Sequence, residues 1–337
     1  MSLHLGQNLD PKAICAAVSH LQLGGNDAFV AGEFHGGECR IFKVSFKDRP
    51  SLSVRVGHPN QGNQQGVIAN VEMETRIFRT LEAKGFSWSP RYRGASLTFD
   101  NPIRYPFMLL DWAEGCPLKW DDDFPSKPVR DAILSQIAEI QLSLITCTLE
   151  HRSITATNFF ERRIRNQFKR AKDGKLSGLT EKDCLDQLAL LPKVLGEDGS
   201  SKLFAMDHGD IKPVNIIIDN ENHTKCLIDW GFAKMFPLVQ AARLPCFLWT
   251  DDSAARVPSQ AMLEDRKAYI DSLPWQILQA AFMKRWQGAK DVDFRTLYLE
   301  SICSKGMLAS MASIGWKLPY CDLIEEGQLG LKENQGP

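Results

Sequence analysis

The 337-residue sequence has no excess of either charge, no paired cysteines and no apolar run long enough to cross a bilayer, and each absence removes a class of function. Its 40 basic and 41 acidic residues nearly cancel. No overall field therefore draws the chain to nucleic acid or to an anionic membrane, and any phosphate chemistry must be locally organised. The nine cysteines, at positions 15, 39, 116, 147, 184, 226, 246, 303 and 321, are scattered and odd in number. With no Cys-x-x-Cys pair and no Cys/His cluster at ligand spacing, they exclude a disulfide framework and a zinc site. They read as buried thiols of a reducing compartment. The N-terminal "MSLHLGQNLDPK" lacks the basic segment followed by an apolar stretch that marks a secretory signal. The expectation is a soluble, cytoplasmic protein.

Repeats and low-complexity tracts are also missing. With 44% hydrophobic and 24% charged residues, the chain has material for one large globular unit or two lobes, each with its own core. Before residue 115, strand-like runs dominate: "AFVAGEF", "CRIFKVSF", "LSVRV" and "PFMLLDW". A helical segment from about 67 to 84 lies between the third and fourth, preceded by a loop-like "GHPNQGNQQG" at 57–66. After residue 115, helical patterns take over. Ile133, Ile137, Ile140 and Leu144 repeat at helical spacing over 128–149, with Ser126 and Pro128 at its start. Residues 158–172 form a second helix, whose Arg162, Arg163, Arg165, Lys169, Arg170 and Lys172 read as a solvated basic face. Further helices are expected in "MLEDRKAYIDSL" and "PWQILQAAFMKRW". The plan is α+β and two-lobed: a small sheet-rich N-terminal lobe over 1–113 and a larger helical lobe over 114–337.

The chemistry concentrates in "MDHGDIKPVNIII" at 206–218 and "CLIDWG" at 226–231. "NIII", a polar turn and "KCLID" predict a hairpin, and a hairpin brings its outer ends together. Asn215 and Asp229 then sit side by side although fourteen residues apart. Asp210 lies just before them, on a connection that Gly209 and Pro213 make irregular. Carboxylate and amide oxygens converging on one spot suit a hard cation that keeps some water and is shared with phosphates, namely Mg2+. Phosphoryl transfer asks little covalent chemistry of a protein; it needs metal ions on the phosphates and a carboxylate that orients the attacking hydroxyl. Asp210 fits the second requirement, and Asn215 and Asp229 fit the first.

The ordered combination of "HGDIKPVN", hairpin and "IDWG" resembles the aminoglycoside phosphotransferase and choline kinase-like family, within the protein-kinase-like fold. The part after "DWG" is most similar to fungal members. The resemblance implies a bilobal fold and a cofactor, ATP with Mg2+. It also implies a glycine turn over the phosphates, for which Gly36 and Gly37 in "FHGGECRIF" are the candidates. A strand cation and a helix carboxylate should form a pair. Arg55, facing away from Leu52, Val54 and Val56, takes the place where protein kinases carry lysine, and Glu74, inside a stripe of Met73, Ile77, Phe78 and Leu81, is its partner. "PFMLLDWAEGCPL" resembles the hinge, where backbone from Leu110 to Trp112 would meet adenine. Lys212 could neutralise the transferred phosphoryl group, while His208 holds the loop.

The leading reading is an ATP- and Mg2+-dependent phosphotransferase acting on a hydroxyl of a small molecule, with no nucleic-acid or membrane partner. Two alternatives stay open: a protein serine/threonine kinase, which Lys212 favours but Gly209 and the missing Ala-Pro-Glu motif do not, and a nucleotide-binding pseudokinase scaffold. Asp251, Asp252 and Asp121–Asp123 could attract a cationic acceptor, although exposed carboxylates are common.

Overall fold

A computed structural model of the chain describes residues 9–23, 27–36, 39–57, 64–249, 254, 257–272 and 289–318. Helix α1 (Pro11–His20) begins at Asp10, whose carboxylate accepts the Lys12 N–H at 2.9 Å. Strands β1 (Phe29–His35), β2 (Cys39–Ser45) and β3 (Leu52–Gly57) follow, then α2 (Gln64–Ala83), β4 (Tyr92–Ser96) and β5 (Phe107–Asp111). Next come β6 (Cys116–Pro117), α3 (Lys127–Thr148), β7 (Glu150–His151), α4 (Ala156–Lys172), α5 (Glu181–Leu195) and β8 (Leu203–Asp207). The hairpin is β9 (Ile216–Ile218) with β10 (Thr224–Leu227). The described chain ends with β11 (Lys234–Pro237), α6 (Leu238–Ala241), α7 (Gln260–Ser272), α8 (Ala289–Ser301) and α9 (Lys305–Ser313).

The chain divides into two units. The first joins Met1–Leu118 to Val214–Ala233. Its main sheet is antiparallel in the order β1-β2-β3-β5-β4. Alternation decides the two faces: Leu52, Val54, Val56, Phe107 and Leu109 are buried together with Ile14, Ala17 and Val18 of α1. Replacing a fully buried leucine such as Leu109 by alanine would cost about 2–5 kcal/mol. Ser53, Arg55, Met108 and Leu110 point to the other face, where Thr75 of α2 reaches the Met108 sulfur.

A second small sheet in this unit runs β10-β9-β6, pairing Cys116 with Ile218. Gly115 makes that pairing possible. Its φ is +131°, and a Cβ there would lie 2.3 Å from the Ile218 carbonyl oxygen, so no side chain fits. The hairpin thus groups with the N-terminal segment, whereas the sequence boundary at 113/114 had left it in the C-terminal part. Pairing with β6, not position in the chain, decides its place.

The second unit comprises Lys119–Pro213 and Lys234–Pro337. Its sheet, β11-β8-β7, is short, and most of its described residues are helical. Ile133, Ile137, Ile140 and Leu144 of α3 are buried at the expected spacing. Phe160 and Ile164 of α4, Leu191 and Leu195 of α5, and Tyr298 and Ile302 form another core. On α4, Arg162, Arg165, Lys169, Arg170 and Lys172 are exposed, while Arg163 lies over the rings of Phe159 and Phe236.

The sheet-rich first part and helical second part match the α+β expectation, with differences in detail, among them the short strands β6, β7, β8 and β11. Strand β4 and helix α1 were not anticipated. Gln64–Gly66, read as loop, open α2. Met73 is exposed, whereas Ile77, Phe78 and Leu81 are buried as expected and the stripe continues through Thr75, Val71 and Val67, with Glu74 between its turns. Gly37, Asp251, Asp252 and the "PWQILQAAFMKRW" segment lie outside the described residues.

Candidate active site

In the first unit, Arg55 is the meeting point of two carboxylates. Its Nε lies 3.0 Å from Glu74 Oε2, and its terminal nitrogen lies 2.9 Å from Asp229 Oδ1 and 3.5 Å from Glu74 Oε1. Three elements set this geometry: the outward position on β3, the inner face of α2 and the end of β10. Burial acts to lower the Arg55 pKa, but the charge of Glu74 foremost, and that of Asp229, hold it above the ordinary arginine value. The guanidinium is therefore a fixed cation.

Asp229 sits in the left-handed region, at φ 64° and ψ 64°, a conformation that aspartate tolerates better than most residues. The turn that follows, Trp230–Phe232, is anchored by Trp230. Its ring is buried, its Nε1 donates to the Leu227 carbonyl at 2.8 Å, and it packs edge-on to Phe86 at 5.5 Å. Gly231 comes close to the ion pair: a Cβ there would meet Glu74 Oε1 at 3.3 Å and an Arg55 nitrogen at 3.6 Å. Asn215 closes the other outer end of the hairpin. It is buried, and its carbonyl accepts the Ile228 N–H at 2.9 Å, which places it across from the residue preceding Asp229.

Gly36 donates its N–H to the Cys39 carbonyl at 2.9 Å, closing the turn between β1 and β2. Leu110 is buried in β5. Trp112 donates its N–H to Ser51 at 3.0 Å, and Asp111 donates to Arg91 at 2.9 Å, so both N–H groups already serve the backbone. The Trp112 ring lies 5.3 Å from that of Phe34 and 4.8 Å from Lys43 Nζ.

The second unit carries Asp210 and Lys212, on the loop that leaves β8. Asp207 Oδ1 accepts the Gly209 N–H at 2.9 Å, Gly209 adopts φ +83°, and the buried His208 accepts the Asp210 N–H on Nδ1 at 3.3 Å. His208 thus braces the loop. Lys212 Nζ lies 2.8 Å from Asp210 Oδ2. Behind the loop is an ion network that sequence reasoning missed. The buried Arg243 reaches Asp207 Oδ2 at 3.2 Å, pairs with Glu300 of α8, and approaches the Gly209 carbonyl at 3.4 Å. Burial opposes its charge, yet Asp207 and Glu300 outweigh burial and keep its pKa above the ordinary value. The one local signal was an arginine inside the otherwise apolar "AARLPCFLW"; its partners stand 36 and 57 residues away.

A helix-flanked antiparallel sheet grouped with this hairpin, and a helical unit that carries this loop, make up the protein-kinase-like fold. The sequence model of the phosphotransferase enzyme family matches residues 40–243, more than half of the chain, so the chain belongs to that family. Membership places it among phosphotransferases. Solved structures share the fold at low identity. An aminoglycoside phosphotransferase-like protein from Ralstonia eutropha is 15% identical with a TM-score of 0.61, covering 95% of this chain and 94% of its own. Choline kinase from Cryptosporidium parvum is 15% identical with a TM-score of 0.57, covering 94% and 97%. An APH(2″)-IIa enzyme in complex with streptomycin and ATP is 14% identical with a TM-score of 0.57, covering 94% and 99%. No curated protein matches the sequence at a significant level.

Proposed function

We propose that the chain transfers the γ-phosphoryl group of ATP, carried with Mg2+, to the hydroxyl of a small molecule. The observation that carries this reading is the placing of Asp229: a left-handed aspartate, pinned by Trp230 and held by Arg55, with Asn215 across the hairpin end. One carboxylate and one amide are hard oxygen donors. Among the described residues no three His, Cys, Asp or Glu side chains group as a metal site, so a cation held here would complete its shell with phosphate oxygens and water. The cation's contribution is to neutralise charge on the phosphates.

The remaining roles fall to the protein. Asp210 orients the acceptor hydroxyl and takes its proton. Lys212 neutralises charge on the transferred group. Arg55, set by Glu74, meets the phosphates, and Gly36 with Gly37 covers them. With the Asp111 and Trp112 N–H groups engaged, the base is met by Leu110–Trp112 carbonyls and by backbone beyond Trp112.

A small acceptor is favoured over a protein because Leu244, Leu248 and Trp249 are buried in the stretch where a kinase would offer an exposed activation loop. No two of the eight described cysteines form a disulfide, which supports a cytoplasmic setting. No helix among the described residues is long and apolar enough to cross a membrane.

The test is a thermal-shift titration with ATP, with and without Mg2+, on wild type and Asp229→Ala. A ligand that binds the native state raises its melting temperature. A Mg2+-dependent rise that the variant loses is expected. No shift at saturating nucleotide would overturn the reading and leave a scaffold without nucleotide.

A further inference from the structure

Arg55 does more than replace a lysine. A guanidinium offers donors along two edges of a plane, and here the two edges serve two acids at once: Nε goes to Glu74 at 3.0 Å and a terminal nitrogen goes to Asp229 Oδ1 at 2.9 Å. The arginine side chain is 10% exposed, while that of Asp229 is 36% exposed. Asp229 is thus open to solvent on one side and already neutralised on the other.

We propose that Arg55 is a specificity-determining residue that makes the Asp229 site refuse bare divalent cations and accept a cation only with its nucleotide. The inference rests on Asp229 as a cation ligand. A free cation taking Oδ1 would break the 2.9 Å hydrogen bond from the arginine nitrogen, leave that nitrogen its longer 3.5 Å contact to Glu74 and lie next to a positive charge; each effect opposes binding. A cation that arrives on phosphates brings the remedy with it. The phosphate oxygens supply new acceptors for the released N–H groups and negative charge between the two cations. A lysine here would present one ammonium point rather than a fork and could not hold both acids in the same way.

The probe is Mn2+ alone, followed by its electron paramagnetic resonance signal, on nucleotide-free protein. Wild type is expected to show no saturable site at millimolar Mn2+, and to gain one when a non-hydrolysable ATP analogue is added. Arg55→Lys is expected to gain a saturable site for free Mn2+ with a dissociation constant at least about tenfold below the highest Mn2+ concentration at which wild type shows none. That gain should vanish in the double variant Arg55→Lys, Asp229→Asn. In Glu74→Gln, where Asp229 is the remaining acid of the pair of partners, binding should be no tighter than in wild type. Saturable binding of free Mn2+ to wild type, with an affinity that Arg55→Lys does not improve, overturns the proposal. The wild-type measurement alone also decides if the lysine variant fails to fold: tight nucleotide-free binding refutes it. Failure of the underlying reading looks different, because Asp229→Asn would then bind Mn2+ with the ATP analogue as tightly as wild type.

Discussion

Each unit sets a carboxylate next to a cation, and the two pairs are built on opposite principles. In the first, Asp229 meets a buried arginine that has a second acid of its own. In the second, Asp210 meets Lys212, whose side chain is 43% exposed. A buried, shared cation is strongly held, because removing it strands charge. A half-exposed lysine pair is screened by water and contributes about 0–1 kcal/mol. The structural contribution therefore concentrates at Arg55 rather than at Lys212.

The comparison breaks first at Arg55. Arg55→Met leaves Glu74 and Asp229 without their cation and should destabilise the protein by about 3–5 kcal/mol, read by denaturant melting. A loss below about 1 kcal/mol would make this pair no different from the exposed one. Asp210→Asn should lower phosphoryl transfer by roughly 10²- to 10⁴-fold while ATP binding, followed by calorimetry, stays unchanged. Turnover equal to wild type would remove Asp210 from the mechanism. Lys212→Met should change stability by less than about 1 kcal/mol yet lower transfer roughly 10²-fold; a large stability loss with intact turnover would reverse the contrast.

The smallest effect lies in the hairpin turn. Asp219 accepts N–H groups from His223, the larger influence, and from Glu221, and both lower its carboxyl pKa below 3.8. A carboxyl whose folded pKa is depressed contributes stability above its unfolded value, and that contribution is lost as pH falls below 3.8. Asp219→Asn should flatten this acid limb of the melting profile and leave neutral pH almost untouched.

Much of this was legible because it is periodic or local. Leu52, Val54 and Val56 announce one face of β3 and so the direction of Arg55. The hairpin ends follow from a polar turn between two apolar runs. Where the signal depends on partners far along the chain, the sequence is mute. β4 is five residues with Gly94 and Arg93 inside it, and alternation cannot stand out over such a length. Met73 fitted a stripe at the spacing of Ile77, but α2 turns its Val67 and Val71 line inward instead. Asp207, Arg243 and Glu300 are three ordinary charged residues until β8, the stretch after α6 and α8 bring them together.

The pairing of Cys116 with Ile218 has a consequence for how the protein is made. The two strands are about a hundred residues apart, so closing them costs loop entropy and cannot begin until both exist. On the ribosome, the N-terminal sheet emerges early but lacks the hairpin and the Trp230 that covers Phe86 until residue 233 has been synthesised. A gene truncated after Leu118 would encode a sheet with its last neighbours missing and unpaired backbone at β6, a product suited to aggregation rather than to independent life. To obtain the first unit alone, an engineer would have to splice 214–233 onto residue 118, reconnecting in sequence what the fold keeps together in space.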